Sequence, residues 1–595
     1  MSDPSPGSRT LGLVFLVLVL LLAVLWGSRP LIHDDLFFHL GTGRHVVENL
    51  EVPTTDIFSF TRGGEPWVSH EWGFGVLTHF FWFAAGVWAL VALKASTVVA
   101  ILLALLVLMI WRSGGSIKAS SPLLVALLAV GLWAINDELI LRASLFSSLL
   151  VVVLMGLLLW FDKRGGRLPF AAIALLFLFW GNFHGEVLFG LFVLGLVTTE
   201  ALLGRWQGGQ GVVPHTLLQA NKERPYLSLF VVSLLLILVN PNGIQVLFYP
   251  FRLAWFLFTR GDTLEKGHFA GATPASSAGF YLLVAILLLG LLPIERLERL
   301  SLTDVATVAA FLVLSIQSHR FIFFFMLFSL PVIVRLFSDK HTESPSWLLS
   351  PRLRLYAVSF TMLLVAAAAV AAWSARERIP VSRHFPSGAV EYLQQEEVLW
   401  RPFNHQNYGG YLGWNSKEPI FWDGRNLLFA SLMTEVALMP LDEVTEKWEI
   451  DSLLLTEFEY QQMRDQIVPA QWGLVYWDDS SALYLRRSRA SEPLLERTEL
   501  RQLPPFGGVE GLNVLAQDSD WKSATRRELD QILRFEPACQ RALYFHGLIS
   551  FYSGDYPRAE EELQRALAVG PNPFVEKALG RVLEASGRVG ETGSR

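Results

Sequence analysis

LGLVFLVLVLLLAVLWGSRPLIHDD, residues 11 to 35, sets a long uncharged apolar run directly against a histidine and two acids, His33, Asp34 and Asp35. A run of this kind has the character of a bilayer-crossing helix, and the acids follow within a few residues of its end. The juxtaposition recurs along the chain. Further apolar stretches read as 88 to 111, 122 to 136, 144 to 161, 169 to 181, 187 to 203, 227 to 241, 278 to 293, 303 to 316, 321 to 336 and 356 to 373, about eleven in all. Several are shorter than the roughly 20 residues a full crossing needs, so their ends must draw on flanking polar residues.

The gaps between these runs alternate in chemistry. One set holds Arg112 and Lys118, then Lys163, Arg164 and Arg167, then Arg205, Lys222 and Arg224, then Arg296 and Arg299, then Arg335, Lys340, Arg352 and Arg354. The other set holds Asp34 and Asp35, then Asp137, Glu138 and Arg142, then Asn182, His184 and Glu186, then His319 and Arg320. The positive-inside bias makes the first set cytoplasmic. The second set, with residues 28–87 and everything beyond about residue 374, then falls on the extracytoplasmic side. The expected fold class is a polytopic α-helical membrane protein with an extracytoplasmic tail.

Composition agrees. Of 595 residues 52% are hydrophobic and 17% charged, and the mean hydropathy is +0.40. A net charge of -6 is small for this length and argues neither for nucleic acid as a partner nor for strong anionic-lipid binding. Cys539 is the single cysteine, which removes disulfides, zinc–thiolate sites and iron–sulfur clusters. Only Arg9 precedes the first apolar run as a basic residue and no small-residue cleavage signature follows it, so a retained anchor is expected.

Within the first loop, Leu36 to Asn49 reads as a short amphipathic helix at the interface, interrupted in composition by Gly41 and Gly43. Pro53, Asp56 and the pair Gly63 and Gly64 mark turns, and Trp67, His70, Glu71 and Trp72 lead into an aromatic stretch suited to the headgroup region. In the tail, 380–490 reads as a small α/β domain with β-like runs at 419–422, 453–455, 474–477 and 482–485. After a Pro- and Gly-rich link at 503–511, residues 511–595 turn helical. Gly547 and Gly554 reappear as Gly580 and Gly587, with Tyr556, Ala559, Leu563, Ala566 and Pro571 between them, the spacing of tetratricopeptide-like (TPR-like) repeats. Such repeats bury their faces on neighbours, which implies either a stabilising cap or a protein partner.

The run from His33 to Leu77 resembles the first outer loop of the GT-C superfamily of bacterial polytopic glycosyltransferases, which take sugar from a polyprenyl-phosphate donor. The residues that carry the resemblance are Asp35, Phe37, Phe38, His39, Gly43, Pro53, Asp56, Trp67, Glu71 and Trp72. It continues through Arg142 with Leu145 and Phe146, WGNFHG at 180–185, NPNG at 240–243, His319 with Arg320, NYGGYLGW at 407–414, and Asp423 to Arg425. Ala143 and Lys266 depart from the pattern, where Pro and Trp are expected. The resemblance implies a GT-C-like membrane domain over residues 1–375 and transfer of a sugar to a lipid, polysaccharide or protein acceptor on the outer face. It implies an integral protein of the bacterial inner membrane.

Such a transfer needs a base for the acceptor hydroxyl and cations for the departing phosphate. Asp34 and Asp35, at the low-dielectric edge of the first run, are the expected catalytic carboxylates; capping of the following helix is the plainer reading. Arg142 and Arg320 suit the donor phosphate by their two-pronged geometry, against simple snorkelling to the interface. His39, His70, Glu71, Asn182, His184, Glu186 and His319 are the other expected substrate-binding residues. Asp35 and His39 share a helix face, so with His70 or Glu71 they could hold an oxygen-preferring divalent metal such as Mg or Mn; a hydrogen-bonded network is the competing reading. Asp423 to Arg425 reads as a tight turn with a local ion pair. The alternative to an enzyme is a non-catalytic scaffold that organises an envelope assembly through its repeats. A transporter is disfavoured, because the polar groups gather at one face instead of the bilayer midplane.

Overall fold

The computed structural model describes residues 6–29, 35–113, 121–206, 224–264, 277–338 and 385–587, except 399, 417, 508–514 and 516. Asp34 and the apolar stretch 356–373 lie outside the described residues. The chain divides into two compact units, residues 1–55 with 66–381, and 56–65 with 382–595.

Among its described residues the first unit is mostly helical, with an isolated bridge between Thr55 and Pro66. Its helices are α1 (Pro6–Gly27), α2 (Asp35–Asn49), α3 (Trp72–Arg112), α4 (Pro122–Ala134), α5 (Ala143–Arg164), α6 (Arg167–Gly181), α7 (Val187–Trp206), α8 (Tyr226–Ile237), α9 (Gln245–Leu264), α10 (Ala278–Leu291), α11 (Leu302–Gln317) and α12 (Ile322–Phe337). Among the described residues three helical stretches are long and apolar enough to cross a membrane: Trp72–Arg112, Ala143–Arg164 and His319–Phe337. Shorter apolar helices stand at Val14–Gly27, Leu123–Ala134, Arg167–Gly181, Val187–Leu203, Tyr226–Ile237, Ala278–Leu291 and Leu302–Gln317. Apolar side chains of α1 and α3 to α12 share one continuous core, with α12 buried along most of its length. That pattern marks α12 as the centre of the unit, since a helix apolar on all sides must be covered on all sides.

Three helices differ from their sequence reading. α3 is two segments joined at a kink, where Ala85 leaves helical geometry and Gly86 takes φ +62°, a conformation that costs a side-chain-bearing residue. The expected span of 88 to 111 is therefore the second segment. α2 forms over the expected residues but is covered on most sides from Leu36 to Gly43 instead of lying with one face free. The reason is Gly43: a Cβ there would stand 2.0 Å from the carbonyl oxygen of Gly75, so α2 crosses α3 backbone to backbone. α9, with Pro250 inside it, was not among the apolar stretches, because Arg252 and Pro250 interrupt its hydrophobic pattern.

The second unit is built on a four-stranded sheet, β1 (Pro402–Asn404), β2 (Ser452–Leu455), β3 (Trp472–Trp477) and β4 (Ala482–Arg486), in the order β1-β2-β4-β3. β1 and β2 run parallel; β2–β4 and β3–β4 are antiparallel. The expected strand at 419–422 is instead a single bridge, Ile420 to Ser59, closed by Phe60 N–H to Ile420 oxygen (3.0 Å) and Ile420 N–H to Phe58 oxygen (3.0 Å). Beyond the sheet stand helices Ser519–Phe535, Gln540–Tyr552, Tyr556–Val569 and Pro573–Ala585. Ala559, Leu563 and Ala566 are buried, and a Cβ on Gly547 would meet Leu563 at 2.6 Å, so two of these helices pack at close range. Their apolar faces join a core that takes side chains from all four strands.

Candidate functional site

The packing of the first unit brings two distant stretches of sequence, α2 and the turn between α6 and α7, onto one carboxylate beside His70. Glu71 precedes α3, and its Oε2 lies 3.4 Å from His39 Nε2 in α2. Its Oε1 lies 2.9 Å from His184 Nε2 and 3.8 Å from His70 Nε2. His184 sits in the turn between α6 and α7. On its far side Nδ1 is 2.9 Å from Ser147 Oγ and 3.1 Å from Glu186 Oε2. Trp180 Nε1 also donates to Ser147 Oγ (2.9 Å), so the hydroxyl accepts twice and fixes the ring.

Aromatic rings wall this network. His39 meets Phe74 edge-on at 4.9 Å between centroids, and His70 packs on Tyr249 of α9 at 4.5 Å and on His184 at 6.4 Å. Gly185 is needed where Pro250 and His70 approach, since a Cβ would fall 2.9 Å from the proline ring. Asn182 braces the neighbouring turn. It accepts from Trp72 Nε1 (3.2 Å) through its side chain, donates to the Val239 carbonyl (2.8 Å), and takes the Gly73 N–H (3.1 Å) on its backbone oxygen.

Burial and charge sort the protons. Burial pushes the His39 imidazole down to about 4 despite the pull of Glu71, and lowers His70 as well. Burial would raise the Glu71 carboxyl, but His70, His39 and His184 outweigh it and hold the group well below the usual carboxylate range. His184 is the reverse: burial lowers it, while Glu186 and Glu71 raise it to about 10. Near neutral pH the network is one imidazolium between carboxyl groups, flanked by two neutral imidazoles. His39 and His184 are both displaced well away from pH 7, in opposite directions, which suits positioning and fixed charge better than proton relay between them.

A second pair lies on the loop after α4 and the turn before α12, where His319 Nδ1 bonds Glu138 Oε1 at 2.5 Å. Arg320 is within coulombic range of His319, and Asp137 of Arg29. Arg142 immediately precedes α5 and acts electrostatically on His39, which places the two stretches at one polar end.

Of the expected residues, His39, His70, Glu71, His184 and Glu186 meet directly. Asn182 adjoins through Trp72, and Arg142 bears on His39 by charge. Asp35 is the first residue of α2 and half-buried. His319 pairs with Glu138, and Asp34 lies outside the described residues. Sequence reasoning missed Ser147, Trp72, Trp180 and Tyr249 as parts of the network. Ser147 sits four residues beyond Ala143 on a helix otherwise read as membrane-crossing, and a small hydroxyl there gives little signal. Among the described residues no group of three or more His, Cys, Asp or Glu side chains is arranged to hold a metal ion. His39, His70 and His184 each face Glu71, at 3.4, 3.8 and 2.9 Å, so the set fits ion-pair and hydrogen-bond contacts with that carboxylate.

Asp56, Asp423 and Arg425 form a separate centre in the second unit. Arg425 Nη2 is 2.7 Å from Asp56 Oδ1 and 2.8 Å from Asp423 Oδ2, and all three side chains are at most 3% exposed. Arg425 Nε also bonds both Asp423 oxygens, and the guanidinium lies over Phe58 and Phe429. Its residues are committed to one another, which is the geometry of a structural clamp. No protein-family model matches this chain, and no curated protein matches it.

Proposed function

We propose that the protein is a membrane glycosyltransferase of the GT-C type, moving a sugar from a polyprenyl-phosphate donor to a lipid, polysaccharide or protein acceptor on the extracytoplasmic face of a bacterial inner membrane. The observation that carries the reading is the convergence of His39, His70, Glu71, His184 and Glu186 at one polar end of an apolar helical unit. Buried ionisable groups at such a place are costly and ordinarily serve a function.

In this reading the network is the floor of the site. Asp35, at the head of α2, takes the proton of the acceptor hydroxyl as the sugar's anomeric carbon leaves the donor phosphate. Arg142 and Arg320 neutralise the phosphate. Glu71 orients His39 and His184, and Tyr249 offers a ring face beside His70. The C-terminal helices, read as tetratricopeptide-like, supply a surface for an envelope partner.

The test is sugar transfer in proteoliposomes. Asp35→Asn with Asp34→Asn is expected to reduce transfer by about two orders of magnitude or more, with unchanged abundance and melting temperature. The second reading is a scaffold that keeps the fold without transfer, and the mutual neutralisation of Glu71 and His184 favours it, because such a pair also serves structure alone. Wild-type activity in the double variant sinks the transferase reading and leaves the scaffold.

A further inference from the structure

α8 ends beside the turn that carries His184: Asn240 Nδ2 donates to the Gly181 carbonyl (2.8 Å), and Asn182 donates to that of Val239. α10 begins at the same polar end. A Cβ on its Gly279 would stand 2.7 Å from the backbone nitrogen of Ala134, the last residue of α4, and the loop after α4 leads into α5, whose Ser147 bonds His184. α9 lies between these two points of the chain. Were it to cross a bilayer, residues 265–277 would have to cross back, and they are fewer than the roughly 20 that a crossing helix needs. Arg252, Arg260 and Asp262 also make α9 costly to bury in hydrocarbon.

The two faces of α9 differ. Val246, Tyr249 and Phe256 are buried, Tyr249 lies on the His70 ring, and Pro250 closes on Gly185. On the other face Ile244, Phe248, Phe251 and Trp255 recur at helical spacing, and each is more than half exposed. Gln245 and Arg252, both exposed, run along one edge of that stripe. A contiguous aromatic row of this kind marks a contact surface, unlike apolar residues exposed singly.

Neighbouring helices identify what covers it. On α8 and just beyond its end, Leu227, Val231, Leu235 and Val239 are exposed one turn apart, and α8 packs on α6, where Leu168, Leu175 and Phe179 are exposed. Bare apolar flanks on a bundle whose interior is already apolar are surfaces for hydrocarbon. At the polar end α9 adds a row rich in aromatic rings with a guanidinium at its edge, the composition suited to the boundary between acyl chains and headgroups.

We infer that α9 lies in the plane of the membrane at the polar end of the unit, with Phe248, Phe251 and Trp255 sunk among the acyl chains and Arg252 level with the headgroup phosphates. The bilayer then backs α9 and holds Tyr249 and Pro250 against His70 and Gly185. This placement depends on the membrane location of the unit and on no step of sugar transfer.

The test starts from Cys539→Ala in the full-length protein, which removes its single cysteine. Ile244→Cys, Phe251→Cys, Trp255→Cys and Arg252→Cys are then made one at a time for a nitroxide label, with Leu235→Cys as the reference on α8. Power saturation in phosphatidylcholine vesicles compares collisions with oxygen, which concentrates in hydrocarbon, and with a water-soluble nickel chelate. Labels at 244, 251 and 255 are expected to meet oxygen several-fold more than nickel, at depths equal to within about 5 Å, one helical turn. The label at 252 is expected to meet nickel more. A crossing helix would spread 244 and 255 by about 16 Å in depth. Such a spread, or nickel access at 251 and 255 equal to that at 252, overturns the in-plane placement while 235 stays in lipid. Labels at 251 and 255 shielded from both reagents and broadened by each other between molecules show a second copy on the stripe, which also overturns it. Nickel access at 235 overturns the membrane location of the unit together with the proposal. A lipid-soluble diazirine applied to the protein without substitutions keeps the test open if a variant does not fold: adducts on residues 248–255 are expected, and their absence while α8 is labelled overturns the proposal.

Discussion

Glu71 is the residue on which the histidine network turns, because three imidazoles face one carboxylate and His184 is the one held cationic near neutrality. Glu71→Gln leaves the His184 imidazolium with Glu186 alone, and breaking a buried pair from one side costs about 3 kcal/mol. Thermal unfolding in detergent is expected to show that loss, with much of it recovered in Glu71→Gln with His184→Asn, where no charge is stranded. Additive losses in the double variant count against a direct pair. The pH dependence follows from the directions. His184, raised to about 10, contributes stability that is complete below its ordinary 6.5 and fades as pH rises toward 10. Glu71, held low, contributes above its ordinary 4.5 and fades as pH falls below it. His39 works the other way: lowered to about 4, it stays neutral in the fold while the unfolded chain takes up a proton, so stability falls from pH 6.5 toward 4. Nitrogen-15 histidine spectra are expected to show His184 still protonated at pH 8 and His39 still neutral at pH 5. A neutral His184 at pH 8 removes the fixed positive charge from the site.

At the scale of elements, two glycines make opposite use of the missing side chain. Gly43 lets α2 cross Gly75 at contact distance, whereas Gly86 has nothing within 4 Å of a built Cβ and is required only by its positive φ. Gly86→Ala is therefore expected to cost about 1 kcal/mol through backbone strain, and Gly43→Ala to disrupt the packing of α2 on α3 and displace His39. Measured unfolding temperatures that rank the two the other way sink this account of the crossing. The same contrast explains what was legible in the sequence. Helices stand at the expected apolar stretches of the described chain, because hydrophobic runs report helices of an apolar bundle directly. α9 escaped because Pro250 and Arg252 break its run, and β1 because three residues carry no period. The residues of the histidine network could be nominated singly, as polar groups at run ends. Their convergence on Glu71, and the part played by Ser147, depend on how α2, α3, α5 and the α6–α7 turn pack, which no local pattern encodes.

Across the whole molecule, the first loop is shared between units: residues 56–65 belong with 382–595, while Thr55 and Pro66 on either side bridge to each other in the first unit. Asp56 reads in sequence as a turn marker and Arg425 as half of a local pair with Asp423. Both readings hold locally, since Asp56 accepts from Phe58 and Ser59 N–H (3.2 and 3.1 Å) and Arg425 bonds Asp423. What the local patterns do not carry is the link between them, which lodges the strip in the second unit together with the Ser59–Ile420 bridge, Arg62 to Ser431 (2.7 Å) and Arg401 over Phe60. A fragment of residues 382–595 therefore lacks one carboxylate of a buried triad as well as the bridge to Ile420. Removing one partner from such a centre costs more than the pair contributes, because the remaining charge stays buried. The fragment is expected to unfold at lower temperature than the same unit in the full chain, and a synthetic peptide of residues 54–67 is expected to restore part of the difference in trans. An Asp56→Asn peptide keeps the backbone bridge but not the charge, and is expected to bind at least about tenfold more weakly, in line with one charge-assisted hydrogen bond. Equal rescue by both peptides would show that the strip is held by its backbone and aromatic contacts, with the triad contributing little.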